Sequence, residues 1–126
     1  MKKIWLIGSL ALIAVLSFAQ GSGKIAPAVA RELLAKDKTV ALIDVRTADE
    51  FIAGHIKGAK LLPYDAIDAK SAATLIKDKS QTVVVYCRSG HRSGIATAAL
   101  VKLGYTAVLD LGGLLTWPYE LVKGKE

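Results

Sequence analysis

The chain has 126 residues, 52% of them hydrophobic, with 17 lysines and arginines against 11 acids for a formal charge of +6, and a single cysteine, Cys87. That length suits one domain with a modest core and leaves no room for a tandem second one. One cysteine excludes an internal disulfide and a Cys-x-x-Cys dithiol, and lysines scattered among acids rather than clustered with aromatics argue against nucleic-acid binding.

Lys2 and Lys3 precede an apolar run from Ile4 interrupted only by Gly8 and Ser9, and Ser17-Phe18-Ala19 places small residues where a signal peptidase cuts. Residues 1–19 are therefore expected to be a signal peptide, cleaved between Ala19 and Gln20. The run is shorter than the ~20 residues that span a bilayer, which makes a retained anchor the alternative rather than the first reading. Cleavage lowers the formal charge from +6 to +4 by removing Lys2 and Lys3. The expected location is periplasmic or secreted, with no stable membrane association after cleavage. In an oxidising compartment a lone cysteine stays as thiol or persulfide, or is capped by an outside thiol.

Residues 20–25, with Gly21-Ser22-Gly23, read as a flexible leader to a domain at 26–126. Pro27 suits the first turn of a helix continuing to Lys36, with Val29, Leu33 and Leu34 on one face. Thr39 to Val45 is an apolar run typical of a buried strand ending at Asp44 and Arg46. Thr47 caps a short helix with Glu50 as its capping-box partner. Gly54 and Gly58 bracket a turn, and Glu50 and His55 fix the geometry there. Ala59 to Leu62 is a short strand stopped by Pro63, and Asp65 to Lys77 a helix with Ile67, Leu75 and Ile76 inward. Thr82 to Tyr86 hardly alternates, which suits a parallel strand covered on both faces. A helix from Ser93 to Leu103 stops at Gly104, Ala107 to Leu109 forms a last strand, and Gly112-Gly113 turns the chain into a final helical segment. Alternating strands and helices predict an α/β sandwich with a mainly parallel five-stranded sheet between helices.

Cys87 stands where the strand at Thr82 to Tyr86 runs into Arg88-Ser89-Gly90-His91-Arg92-Ser93. Ligands bind at the carboxyl ends of strands in such folds. A cysteine closing a strand is often a small buried hydrophobe. Here the residues after it are glycine or polar, a poor wrapping for a core side chain. Backbone N–H groups at a strand-to-helix turn and two guanidiniums favour thiolate. Gly90 lets the backbone bend round a ligand, and Ser89 and Ser93 add hydroxyl donors. His91 either tunes the thiolate or contacts an anion, or is a surface histidine without a role. No ligand-pair spacing supports a metal at His55, His91 and Cys87.

The spacing narrows the chemistry. Protein tyrosine phosphatases use Cys-x5-Arg, a loop sized for phosphate, whereas here Arg92 arrives one residue earlier and Ser93 takes the phosphatase position. The tighter loop fits one added sulfur atom better than a phosphoryl group.

Cys87-Arg88-Ser89-Gly90-His91-Arg92-Ser93 resembles the active-site loop of single-domain rhodaneses, the thiosulfate sulfurtransferases. Leu42-Ile43-Asp44-Val45-Arg46 with Glu50-Phe51 and Gly54-His55-Ile56-Lys57-Gly58-Ala59 is similar to that family's N-terminal signature, and Leu111-Gly112-Gly113 with Trp117 to its C-terminal one. The likeness extends from about Ala26 onward. It implies a rhodanese-like three-layer sandwich and a ping-pong sulfurtransferase without a cofactor. Cys87 would be the nucleophile, taking a sulfane sulfur from thiosulfate or a similar small donor and passing it to cyanide or a thiol. Arg88, Ser89, Gly90, His91, Arg92 and Ser93 would form the substrate cradle, with Arg88 or Arg92 pairing with the donor's sulfonate. Asp44 and Arg46 would support the loop as an ion pair, the alternative being a surface pair at a strand end. Two other functions stay open: a persulfide carrier serving a specific protein acceptor, and a cysteine-based phosphatase or arsenate reductase.

Overall fold

The computed structural model describes residues 21–126. The expected signal peptide and its cleavage site lie outside the described residues. Five parallel strands, β1 (Gly21–Lys24), β2 (Ala41–Asp44), β3 (Lys60–Leu61), β4 (Val83–Cys87) and β5 (Ala107–Gly113), form one sheet in the order β1-β5-β4-β2-β3. Helices α1 (Pro27–Lys36), α2 (Ala48–Ala53), α3 (Ala69–Leu75) and α4 (His91–Lys102) join them, with 3₁₀ turns at Tyr64–Ala66 and Leu114–Thr116.

The unbroken apolar run of β4 is explained by its central place, since both of its faces are covered. Val83, Val85 and Cys87 join Ile43, Val108, Ile76 and Leu100 on the α3 and α4 side, while Val84 and Tyr86 join Leu42, Leu109, Ala30 and Phe51 on the α1 and α2 side. The three valines of β4 are fully buried, each worth about 1.5–3 kcal/mol in apolar burial.

Four expectations change. Residues 21–24 are not a leader but β1, paired in register with Ala107–Asp110. Backbone pairing with the open edge of β5 needs no apolar side chain, so Gly-Ser-Gly composition concealed the strand. The helix expected over 65–77 breaks at Ile67, because Asp68 accepts the Ser71 N–H at 2.8 Å and Ser71 Oγ accepts the Asp68 N–H at 2.9 Å, a reciprocal cap that starts α3 afresh. In α1 the deepest residue is Ala30, while Val29 is exposed. Finally, β5 runs on through Gly112 and Gly113 instead of ending at Leu109. The capping box of Thr47 and Glu50 on α2 forms as expected.

Candidate active site

The strand β4 delivers Cys87 to the carboxyl edge of the sheet, and only Arg88, Ser89 and Gly90 intervene before α4 begins. Gly90 is the N-cap of α4 at φ +107°, a left-handed conformation that glycine adopts without a β-carbon penalty. In that conformation its N–H turns back and donates to Cys87 Sγ at 2.9 Å. The cysteine is both things the sequence allowed: its residue is fully buried against the α4 side of the core, yet its sulfur faces backbone donors. Burial is the largest single influence on the thiol and pushes its pKa up. The Ser93 hydroxyl and the N–H groups of Ser93, Gly90 and Ser89 together outweigh it, leaving the thiol below its ordinary value. The Ser93 hydroxyl also reaches the Gly90 carbonyl at 3.1 Å. With one hydrogen to give, it favours sulfur once the sulfur is negative.

Arg92 does not face the cradle as a free cation. Its Nη1 and Nη2 donate to Glu50 Oε1 and Oε2 at 2.8 and 3.0 Å, a fork-to-fork pair tying the first turn of α4 to α2. The pairing holds the Glu50 carboxyl down at about 2, and the carboxylate in turn raises Arg92 further above its already high value. Glu50 thus does more than fix local helix geometry. Its Oε1 also accepts the Thr47 N–H at 3.1 Å, so one carboxylate serves the α2 cap and the loop. Arg88 and His91 are exposed.

Beneath the loop, β5 carries a bulge. Val85 pairs with Asp110 and Tyr86 with Gly112, leaving Leu111 over. Asp110 Oδ1 accepts the Gly112 N–H at 2.9 Å, and Gly112 sits at φ +87°. The bulge brings Gly113 opposite Cys87 and directly under the Arg88 carbonyl, where a β-carbon would overlap it. In the sequence the Gly112-Gly113 pair reads as packing and a backbone turn within a stretch similar to a family signature, and nothing local to it points to the loop twenty-odd residues away.

Asp44 and Arg46 form an ion pair that is buried, not a surface pair: Arg46 Nη2 donates to Asp44 Oδ2 at 2.7 Å and to the Gly54 carbonyl at 2.7 Å. Its direct hold is on the end of α2 rather than on the Cys87 loop. Tyr86 is wedged beside it, its hydroxyl accepting the Ile56 N–H at 3.1 Å, with burial driving the phenol far above its usual range. His55 is fully buried and stacked on Phe51. Its ring nitrogens lie against the Phe51 and Glu126 carbonyls at 2.8 and 3.0 Å, so it is an anchor for the turn and the chain's last residues. A groove of about 820 Å³ lies apart, beside α2 and β3, and no residue of the Cys87 loop lines it. Volume does not locate this site; the donors round the sulfur do.

The model of the rhodanese-like domain matches residues 26–118. The chain belongs to the rhodanese-like family. It is 39% identical over 82 residues to a thiosulfate sulfurtransferase of Escherichia coli, covering 65% of this chain and 78% of that one. A sulfurtransferase of Allochromatium vinosum is 41% identical over 85 residues, covering 67% and 77%. Among solved structures, a rhodanese with anions from E. coli superposes with a TM-score of 0.61 at 38% identity, covering 68% of this chain and 99% of that one. The rhodanese-like fold expected from the sequence is the fold observed, with all five strands parallel.

Proposed function

We propose that this rhodanese-like protein is a thiosulfate sulfurtransferase that works through a persulfide on Cys87. The observation that carries the reading is the Gly90 N–H at 2.9 Å from Cys87 Sγ in a three-residue turn, which favours anionic sulfur. That the E. coli relative is a thiosulfate sulfurtransferase supports the choice of donor.

In the first half-reaction the Cys87 thiolate attacks the outer sulfur of thiosulfate. A sulfur–sulfur bond forms at Sγ as the bond inside thiosulfate breaks, and its electron pair leaves on sulfite. The persulfide is again an anion, so the N–H groups of Ser89, Gly90 and Ser93 that hold the thiolate are suited to its outer atom. In the second half-reaction cyanide or a thiolate takes that atom and Cys87 returns as thiolate. None of these steps draws on a cofactor.

Mass spectrometry after incubation with thiosulfate tests this. A gain of one sulfur on Cys87, absent in Cys87→Ser and removed by cyanide, is the expected result; a folded protein that stays unlabelled refutes it. We further place the activity in the periplasm or outside the cell on the strength of residues 1–19, and N-terminal sequencing of exported protein checks that location.

A further inference from the structure

We infer that the groove of about 820 Å³ beside α2 and β3 is a binding site for a small organic anion with an apolar body, an acyl or aryl group carrying one acidic head. The lining has two chemistries. Phe51 and Ile52 of α2 and Leu61 of β3 give it an apolar floor, while Lys57, Lys60 and Lys125 give it charge. Ile52 is 39% exposed, a large aliphatic side chain that water covers when no ligand does. Among the described residues none of the three lysines is in an ion pair, and the one acidic side chain in the lining is Glu126. A lysine lays its stem along apolar surface and keeps its ammonium in water, so the ligand's body belongs on the floor and its acidic head at the mouth.

The walls are set before any ligand arrives. His55 and Val122 exchange both main-chain hydrogen bonds at 2.8 Å, the Gly124 N–H donates to the Ile52 carbonyl at 2.9 Å, and the His55 ring lies 3.0 Å from the Glu126 carbonyl. The segment carrying Lys125 is thereby fastened to α2, and a ligand need not order its own site. The volume is that of a small-molecule pocket. An extended peptide suits the place less well, although β3 is an edge strand. It has two residues, the N–H groups of Ala59 and Leu62 beside it are given to Ile56 and Asp44, and Pro63 has none, so little backbone remains for a further strand. No residue of the Cys87 turn lines the groove, so the inference stands apart from the sulfurtransferase reading.

The test titrates octanoate and naphthalenesulfonate into the isotope-labelled protein and follows amide chemical shifts. Saturating shifts at Ile52, Gly58, Lys60 and Leu61 are expected, the tighter probe deciding between an acyl and an aryl body. Octanol, which has the chain without the charge, should bind about tenfold or more weakly than octanoate. Lys57→Ala, Lys60→Ala and Lys125→Ala combined should weaken the tighter probe by about tenfold or more and flatten its dependence on salt. Ile52→Asp, which lays a carboxylate on the floor, should weaken it as much. Lys70→Ala, Lys77→Ala and Lys102→Ala combined remove the same charge from positions outside the groove and should bind as wild type. Octanol binding as tightly as octanoate, wild-type affinity in the groove triple variant, or shifts that never saturate or that centre on Ser89 and Gly90 would each overturn the inference.

Discussion

Gly113 lies directly beneath the carbonyl of Arg88, with no space for a side chain between them. The contact joins the end of β5 to the turn carrying Cys87, and it is tightened by the Leu115 N–H, which donates to the same carbonyl at 3.2 Å. Because backbone meets backbone, neither partner can yield by changing a rotamer. Gly113→Ala must push the turn off β5 or displace the strand, at a cost of about 1–3 kcal/mol. The displaced turn would carry the Gly90 N–H away from the sulfur. Thermal unfolding is expected to show the lower stability, and labelling of Cys87 by thiosulfate should fall well beyond what that loss alone explains. A variant that melts and labels as wild type would show that the turn tolerates the shift.

The lowered pKa of Cys87 can be read from the pH dependence of alkylation by a neutral reagent. The rate follows the thiolate fraction and should reach half its maximum below the ordinary cysteine value. Ser93 is buried, and Ser93→Ala keeps nearly its shape while removing the hydroxyl that favours the charged form. The midpoint should move upward in that variant. An unmoved midpoint would assign the effect to the backbone donors alone.

How much of this was legible beforehand depends on how far apart the partners lie in the chain. Thr47 and Glu50, three residues apart, announce their cap by local chemistry, and the strand-loop-helix frame of Cys87 follows from hydrophobic patterning. Arg92 reads as a free cation in the sequence because its partner Glu50 is 42 residues away, joined only when β2 and β4 pair and bring the first turns of α2 and α4 to the same end of the sheet. Gly113 is silent for the same reason: its importance is the absence of an atom where another strand's loop passes. The strand β1 was hidden differently, since Gly21, Ser22 and Gly23 contribute backbone hydrogen bonds to β5 and almost nothing to the core.

The buried Asp44–Arg46 pair makes a sharper stability prediction than a surface pair would. Asp44 is wholly buried and Arg46 nearly so, and Arg46 also holds the Gly54 carbonyl. Asp44→Ala strands a buried guanidinium beside the Tyr86 ring with its carboxylate partner gone, an imbalance of about 3–5 kcal/mol. Urea unfolding should register this as a lower midpoint at a nearly unchanged slope. A loss below about 1 kcal/mol would mean that water reaches the site and that the pair behaves as an exposed one.

Glu50 carries a pH signature. Its folded carboxyl is held at about 2 against 4.5 for the free group, chiefly by the Arg92 fork and secondarily by the Thr47 N–H and hydroxyl, with burial opposing. A depressed folded value means that the unfolded chain binds the proton first. The stabilisation is therefore complete above about 4.5 and is lost as pH falls toward about 2. Allowing for screening of a partly exposed pair, the amount is of the order of 1–2 kcal/mol. Unfolding free energies measured from pH 6 down to the lowest pH at which the protein stays folded should decline in the wild type and decline less in Glu50→Gln, the two curves converging in acid. Parallel curves would mean that the Arg92 fork adds nothing to folding, and its role would then be confined to the setting of the Cys87 turn.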